Sequence, residues 1–156
     1  MIVMLAALLA AQAPEPVPAR PELTAEQLNR QFAYLYALSP ADGWGQTASG
    51  LRFRRISGNG TGPHPRATDT VTIHYAGRFI DGTEFDSSIA RGEPATFPLN
   101  RLIRGWQEGV PLMAVGDRYE FAVPYTLGYG PAGRGPIPGG ATLVFTIELI
   151  AIPAQP

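Results

Sequence analysis

The chain has 156 residues, 45% of them hydrophobic, which is enough for one compact domain and a tail. A net charge of −1 gives no electrostatic basis for binding nucleic acid or an anionic membrane. The absence of cysteine excludes disulfides, thiolate metal sites and cysteine nucleophiles, so a core must depend on apolar packing.

Residues 1–13 have the pattern of a secretion signal. Residues 2–11 form an uninterrupted apolar run that is too short to cross a bilayer as a helix, and an A-x-A cleavage site follows at 11–13. The usual positive start is missing, so an uncleaved anchor or a tail is the alternative. We expect an exported, periplasmic protein whose mature form begins near Pro14.

Residues 14–46 are expected to hold a proline-rich spacer at 14–21 and one helix. Thr24 and Gln27 have the spacing of a capping box. Apolar residues then follow at helical spacing: Leu28, Phe32, Leu35 and Tyr36. We expect this helix, residues 24–38, to pack on its own domain in a monomer; dimerisation through the same helix is the alternative.

From Leu51 onward apolar and polar residues alternate, which is typical of half-buried antiparallel strands. The inward residues of four such runs are Leu51 and Phe53; Val71, Ile73 and Tyr75; Tyr119, Phe121 and Val123; and Leu143, Phe145, Ile147 and Leu149. Between the strands only residues 104–113 have a helical pattern, and Pro111 must end or kink that helix. The pattern favours an α+β fold, with a curved antiparallel sheet against one helix.

The motifs of several enzyme classes are missing. The sequence has no glycine-rich phosphate loop, no G-x-S-x-G and no H-E-x-x-H. No metal site is expected, because His64 lies in a proline-rich turn and His74 on the outward face of a strand. Ser87 and Ser88 are predicted to have no histidine base within reach, so nucleophilic or acid–base hydrolysis is not expected.

A distinctive run lies at residues 102–106, in the second half of the chain. Two aliphatic residues, a cation and a glycine precede Trp106 there. The indole is large enough to form the floor of a cavity, and Gly105 is expected to let another backbone approach closely. Further aromatic residues lie at strand ends and turns: Tyr75, Phe85, Phe97, Tyr129 and Phe145. Each alone is best explained as a core residue, but together they can line a pocket for a small apolar group.

Five motifs occur in an order that resembles one known family. They are HYAG at 74–77, DGTEFDSS at 81–88, IRGWQEG at 103–109, LGYG at 127–130 and ATLVF at 141–145. Together they resemble the FKBP-type peptidyl-prolyl cis-trans isomerases, especially the exported bacterial members. The resemblance covers residues 47–152 and leaves 153–156 as a tail. It implies a strongly curved antiparallel sheet wrapped around one short α-helix, with the N-terminal helix outside this domain.

The resemblance implies rotation about X–Pro bonds in exported client proteins, without a cofactor, and macrolide immunosuppressants as inhibitors. It assigns catalysis to Tyr75, Asp86, Ile103 and Tyr129. It assigns substrate binding to Phe85, Phe97, Leu102, Trp106, Ile137 and Phe145. Trp106 would lie beneath the proline ring, while the Ile103 N–H and the Tyr129 hydroxyl would bind carbonyls. Asp86, held by Tyr75 and Arg91, would face the rotating amide.

The sequence departs from the family pattern at several positions that bear on substrate preference and inhibitor affinity. Ala95 stands where many members have an aromatic residue, and Pro111 is unusual within the helix. Asn100 and Arg101 form the short link of bacterial relatives, and Arg134 lies at the tip of a variable loop. The alternative function for the same pocket is a non-catalytic peptide-binding chaperone or scaffold.

Overall fold

The structure, a computed structural model, describes residues 22–154. The predicted secretion signal and the proline-rich spacer lie outside this range. The helices are α1 (Ala25–Ala37), α2 (Ser88–Arg91) and α3 (Arg104–Gly109). The strands are β1 (Gly45–Gln46), β2 (Arg52–Ser57), β3 (Thr70–Arg78), β4 (Glu84–Ser87), β5 (Ala95–Pro98), β6 (Arg118–Val123), β7 (Gly133–Arg134), β8 (Ile137–Pro138) and β9 (Leu143–Ala151). Among these helices none has the length and apolar character needed to span a membrane.

Seven strands form one antiparallel sheet in the order β1-β2-β6-β9-β3-β4, and β5 also pairs with β3. The predicted alternation is confirmed along β3, where every second residue from Val71 to Gly77 is buried. These inward residues pack on α3, so the core lies between the sheet and this one helix. A two-stranded hairpin, β7–β8, stands apart from the sheet within the long loop before β9.

Helix α3 packs very closely on β6. A Cβ atom on Gly105 would lie 2.6 Å from Val123 Cγ1, and one on Gly109 would lie 2.7 Å from Phe121 Cε1. The close neighbour of Gly105 is therefore a side chain and not the backbone that we expected. Pro111 ends the α-helix as predicted, and a 3₁₀ turn at Val110–Leu112 continues the chain.

Helix α1 lies outside the sheet-and-helix core and covers the outer face of the sheet. Its capping box is confirmed, with Gln27 N donating to Thr24 Oγ1 at 3.1 Å. Leu35 packs with Trp44 and Ala122, so β6 is buried on both faces. The alternation of β6 had predicted an exposed outer face, which is wrong because the sequence pattern of one strand does not reveal what packs over it.

The contact face of α1 differs from the predicted apolar stripe. Gln31 and Leu35 are buried, whereas Phe32 and Tyr36 are 46% and 83% exposed. Gln31 Oε1 accepts a hydrogen bond from Thr142 N at 2.8 Å, so a polar side chain fastens the helix to the domain. The one-turn helix α2 was not predicted; Ser87 Oγ begins it by accepting from Ala90 N at 3.0 Å.

Candidate functional site

Three aromatic rings pack edge-on against the indole of Trp106, at the start of α3. The ring centroids of Tyr75 on β3 and Phe145 on β9 lie 5.2 and 5.1 Å from the indole, and that of Phe97 on β5 lies 6.3 Å away. Phe85 on β4 packs on Phe145 in turn, at 5.7 Å. Edge-to-face geometry is favourable for aromatic pairs. Residues far apart in the sequence therefore form one aromatic cluster.

Close packing of this cluster depends on a glycine in β3. A Cβ atom on Gly77 would lie 2.7 Å from Phe85 Cζ and 2.8 Å from Phe145 Cε1. Any larger residue would push the two rings away from the strand. Gly77 therefore lets both rings lie against the backbone of β3.

The cluster has a buried floor and a partly exposed rim. Trp106 is 1% exposed, and Tyr75 and Phe145 are fully buried. Phe85, Phe97 and Tyr129 are half-buried and reach the surface. Access of a ligand to the indole therefore requires side-chain movement at this rim.

A network of charged and polar groups lies beside the aromatic cluster. Tyr75 Oη donates to Asp86 Oδ2 at 2.6 Å, and Arg91 donates to Asp86 Oδ1 at 2.5 Å and to Tyr75 Oη at 2.9 Å. Both carboxylate oxygens of Asp86 are thus engaged. Charge-assisted bonds of this kind are among the stronger ones in proteins.

Burial and this network shift two pKa values. Burial raises the pKa of the Tyr75 hydroxyl, and its hydrogen bond to Asp86 raises it further. Burial alone would lower the pKa of Arg91, but its hydrogen bonds to Tyr75 and Asp86 more than offset this and raise it. At neutral pH the phenol is therefore protonated and the guanidinium charged.

Two polar atoms of the cluster are buried without a hydrogen-bond partner among residues 22–154: the Tyr129 hydroxyl and Trp106 Nε1. Burial also raises the pKa of Tyr129, which keeps its hydroxyl protonated. Buried polar groups in folded proteins nearly always have partners. The hydrogen-bonding capacity of this covered hydroxyl is therefore left for a ligand that displaces the groups over it.

The corner before α3 is held by hydrogen bonds to its carbonyls. Gln107 Nε2 donates to the Leu102 carbonyl at 2.6 Å, and the Ile103 carbonyl accepts from Trp106 N at 3.0 Å. Ile103 itself has extended backbone angles, φ −58° and ψ 152°. The side-chain bond from Gln107 was not anticipated from the sequence.

All the residues assigned from the resemblance come together in the structure. Nine of them belong to one apolar core cluster or pack against it: Tyr75, Phe85, Phe97, Leu102, Ile103, Trp106, Tyr129, Ile137 and Phe145. The tenth, Asp86, joins them through Tyr75. Their placement is consistent with one site.

The sequence analysis missed a contact between Ser88 and His74. Ser88 Oγ lies 3.0 Å from His74 Nδ1 and accepts a hydrogen bond from Tyr75 N at 2.8 Å. The expectation that no histidine lies within reach of this serine is therefore wrong, because β4 pairs with β3 and carries Ser88 back to it. Ser88 is fully buried, so its hydroxyl secures the backbone of Tyr75 and is not an accessible nucleophile.

His64 and His74 are both within the part of the chain that the structure describes. No group of three or more histidine, aspartate or glutamate side chains there is placed to hold a metal ion. The polar groups of the site include the engaged Asp86 carboxylate and the unpartnered Tyr129 hydroxyl. Such a site can bind and orient a polar backbone in apolar surroundings.

Comparison with known proteins decides the family. A sequence model of the family of FKBP-type peptidyl-prolyl cis-trans isomerases matches residues 62–150 of this chain. The chain belongs to this family. The antiparallel sheet packed on one short helix, with α1 outside it, is accordingly the FKBP fold that the resemblance implied, and this prediction is confirmed.

Similar proteins include FKBP-type isomerases of bacteria. The chain is 53% identical over 119 residues to the FKBP-type peptidyl-prolyl cis-trans isomerase FkpA of Aeromonas hydrophila, covering 76% of this chain and 44% of that protein. It is 50% identical over 120 residues to the FKBP-type 22 kDa isomerase of Escherichia coli, covering 76% and 58%. The chain thus spans about half the length of the curated relatives it matches.

A solved structure agrees with this placement. The crystal structure of FkpA from Escherichia coli matches with a TM-score of 0.80 and 36% identity. The match covers 85% of this chain and 62% of that chain. Because the covered share is larger than residues 62–150 alone, the likeness extends beyond the FKBP-type domain.

Proposed function

We propose that this chain is a peptidyl-prolyl cis-trans isomerase that accelerates rotation about X–Pro bonds in exported proteins. The observation that carries the proposal is the ring cluster around Trp106 with the unpartnered Tyr129 hydroxyl at its rim. The names of the relatives, FKBP-type peptidyl-prolyl cis-trans isomerases, support the same activity. In this proposal the isomerase domain is residues 47–152.

The reaction requires no proton transfer and no covalent step. Rotation about an X–Pro bond breaks amide resonance and has a barrier of about 18–20 kcal/mol. The planar amide is more polar than the twisted one, so water stabilises the planar form more. An apolar site that removes water therefore favours the twisted amide relative to the planar one.

The site needs to lower the barrier to rotation by only a moderate amount. A turnover of roughly 10²–10³ per second corresponds to a barrier near 14 kcal/mol, so the site must supply about 5–6 kcal/mol. Desolvation, docking of the proline ring and one or two hydrogen bonds can together account for this. No cofactor enters the proposal.

Each part of the site has a role in this mechanism. The proline ring enters between the half-buried rim residues and lies over Trp106. The Ile103 N–H donates to one substrate carbonyl and the Tyr129 hydroxyl to another, which orients the chain while the bond rotates. Apolar walls exclude water on the remaining sides: Phe85, Phe97, Leu102, Ile137 and Phe145.

Asp86 acts as a fixed charge facing the rotating amide. Tyr75 and Arg91 bind its two oxygens, so the carboxylate keeps one orientation as the substrate moves. Both carboxylate oxygens already accept hydrogen bonds from protein groups, which fits a mechanism without proton transfer. Tyr75 and Arg91 are positioning residues in this scheme.

The proposal also includes export to the periplasm, a monomeric state and inhibition by macrolide immunosuppressants. The apolar run and A-x-A pattern of residues 1–13 support export to the periplasm. The packing of α1 on its own sheet, through Leu35 and Gln31, supports a monomer. The aromatic cluster supports binding of macrolide immunosuppressants as inhibitors.

The test is an isomerase assay on the full chain with a short X–Pro peptide. Acceleration well above the uncatalysed rate is expected, and Asp86→Leu and Tyr129→Phe should both reduce kcat/KM. The same variants are then compared in suppression of aggregation of an unfolded client. A folded wild-type protein that suppresses aggregation but does not accelerate isomerisation would be a non-catalytic chaperone, and the isomerase proposal would fail.

A further inference from the structure

A cavity of about 550 Å³ lies beside the aromatic cluster, between the start of α1 and the β7–β8 hairpin. Its apolar lining includes Leu23, Phe79, Ile80 and Pro138. This volume lies within the usual range for ligand sites. We call it the helix–hairpin groove, and none of the residues assigned to prolyl isomerisation lines it.

The helix–hairpin groove and the aromatic cluster share two walls. Phe79, in the groove, packs on Phe85, at the rim of the cluster, with ring centroids 5.0 Å apart. Pro138 also lines the groove, while its neighbour Ile137 is buried in the core beside the cluster. One ring and one thin hairpin thus separate the two.

The separation suits an extended polypeptide. Phe85 lies over Gly77 near the end of β3, and Phe79 follows Arg78, the last residue of that strand. At about 3.3 Å per residue, the step from Gly77 to Phe79 is roughly 7 Å, the span of about two residues of an extended client. A chain held by its prolyl bond over Trp106 can therefore reach the groove within a few residues.

Helix α1 supplies one side of the groove and is firmly attached. Gln31 Oε1 accepts from Thr142 N at 2.8 Å in a buried contact, and Leu28 lies against Gly140. These two contacts fasten the helix to the loop that leads into β9. Leu23, just before α1, is consequently held beside the groove's other apolar residues.

The charges around the helix–hairpin groove favour a basic residue in its occupant. Glu22 and Asp81 line it, and the backbone N–H of Thr83 lowers the pKa of the Asp81 carboxyl, which therefore stays charged at neutral pH. Among the lining residues within 22–154 the cation is Arg30, which forms an ion pair with Glu26 at 3.4 Å. Apolar walls with an acidic rim match an apolar side chain next to a lysine or arginine.

We propose that the helix–hairpin groove binds a second stretch of the client polypeptide, an apolar residue beside a lysine or arginine, about two to four residues from the prolyl bond. The proposal rests on the proposed isomerase function, because the client is first held at the aromatic cluster. A groove remote from the rotating bond contacts the planar and twisted amides equally. It should therefore lower KM and leave kcat unchanged.

The test compares three peptides with the full chain. One is a short X–Pro peptide, the second adds a Leu-Lys element three residues from the proline, and the third carries Ser-Glu in its place; each longer peptide is made with the element on either side. Of the two Leu-Lys peptides, we expect the better one to have a kcat/KM about tenfold higher than the short peptide and the Ser-Glu peptides. The whole difference should come from a lower KM.

Two variants locate the effect. Ile80→Lys places a cation inside the groove and should reduce the Leu-Lys advantage to about twofold or less. Ile56→Lys is the matched control, because Ile56 is a 50% exposed isoleucine on β2 that does not line the groove, and it should keep the full advantage.

A photo-crosslinking residue at Pro136, which also lines the groove, identifies the occupant. Crosslinks to the Leu-Lys element support the proposal. Crosslinks instead to residues 14–21 of the same chain, or to a second copy, overturn it. If the short peptide is turned over but the Leu-Lys peptides have no advantage, the groove proposal is overturned and the isomerase function stands. If the short peptide is not turned over, the isomerase function itself is refuted.

Discussion

Tyr75 Oη and Asp86 Oδ2 are joined by a hydrogen bond of 2.6 Å, and both residues are buried. The bond links β3 to β4 at the edge of the aromatic cluster. Arg91 bridges the same two groups and lies with its guanidinium 5.5 Å from the centre of the Tyr75 ring. The carboxylate is consequently fixed before any substrate binds.

Tyr75→Phe should destabilise the protein and slow isomerisation. Removing the hydroxyl leaves Asp86 with one fewer donor in a buried position, which costs about 1.5–3 kcal/mol of unfolding free energy. Urea denaturation measures this loss. Tyr119→Phe is the matched control, because the Tyr119 hydroxyl makes only a 3.5 Å contact with the Leu112 carbonyl. Equal losses of unfolding free energy in the two variants would mean that the hydrogen bond from Tyr75 to Asp86 stabilises the protein no more than the weak contact of Tyr119 does.

Tyr129→Phe should separate activity from stability. The Tyr129 hydroxyl is buried without a partner in the described chain, so its removal leaves the unfolding free energy unchanged or raises it. Loss of its bond to a substrate carbonyl should lower kcat/KM about five- to tenfold, equivalent to roughly 1 kcal/mol. The measurements are a urea titration and a peptide isomerase assay. A stability loss above 1 kcal/mol would show that the hydroxyl has a structural partner.

Stability should fall at alkaline pH because of two buried tyrosines. The pKa of both Tyr75 and Tyr129 is raised from 10.0, mainly by burial. The folded state therefore holds these protons more tightly than the unfolded state. Their contribution to stability is complete below pH 10 and decreases as the pH rises above 10.

Urea midpoints measured between pH 8 and 11 test this dependence. Tyr129→Phe should flatten the alkaline decline, because it removes one of the tyrosines whose pKa is raised by burial. Tyr36→Phe is the control, since that side chain is 83% exposed, and it should decline as the wild type does. An identical slope in Tyr129→Phe and the wild type would refute the prediction.

Gln31→Ala should loosen α1 from the domain. The Thr142 N–H loses its acceptor in a buried position, which costs about 1–3 kcal/mol. Urea denaturation measures the loss, and limited proteolysis between α1 and β1 should become faster. Asn29→Ala, an exposed change on the same helix, should alter neither. Slow proteolysis of Gln31→Ala would mean that the apolar contacts of Leu28 and Leu35 suffice to hold the helix.

Much of the fold follows from local patterns. The capping box of Thr24 and Gln27, the alternation along β3 and the helix stop at Pro111 were all predicted correctly, since each depends on residues a few positions apart. The family resemblance also selected residues that the structure brings into one cluster. The contact of Ser88 with His74 was not foreseen, because it depends on how β4 pairs with β3.

The sequence by itself determined the alternation along β3, the place of the helix stop and the family, because backbone periodicity and short motifs are local properties. Only the tertiary structure decided which faces meet. It buried Gln31 and left Tyr36 exposed on one helix, covered the outer face of β6, and opened a groove between α1 and the β7–β8 hairpin. These outcomes depend on the shapes and hydrogen-bonding groups of residues far apart in the chain, such as Gln31 and Thr142, which are 111 positions apart.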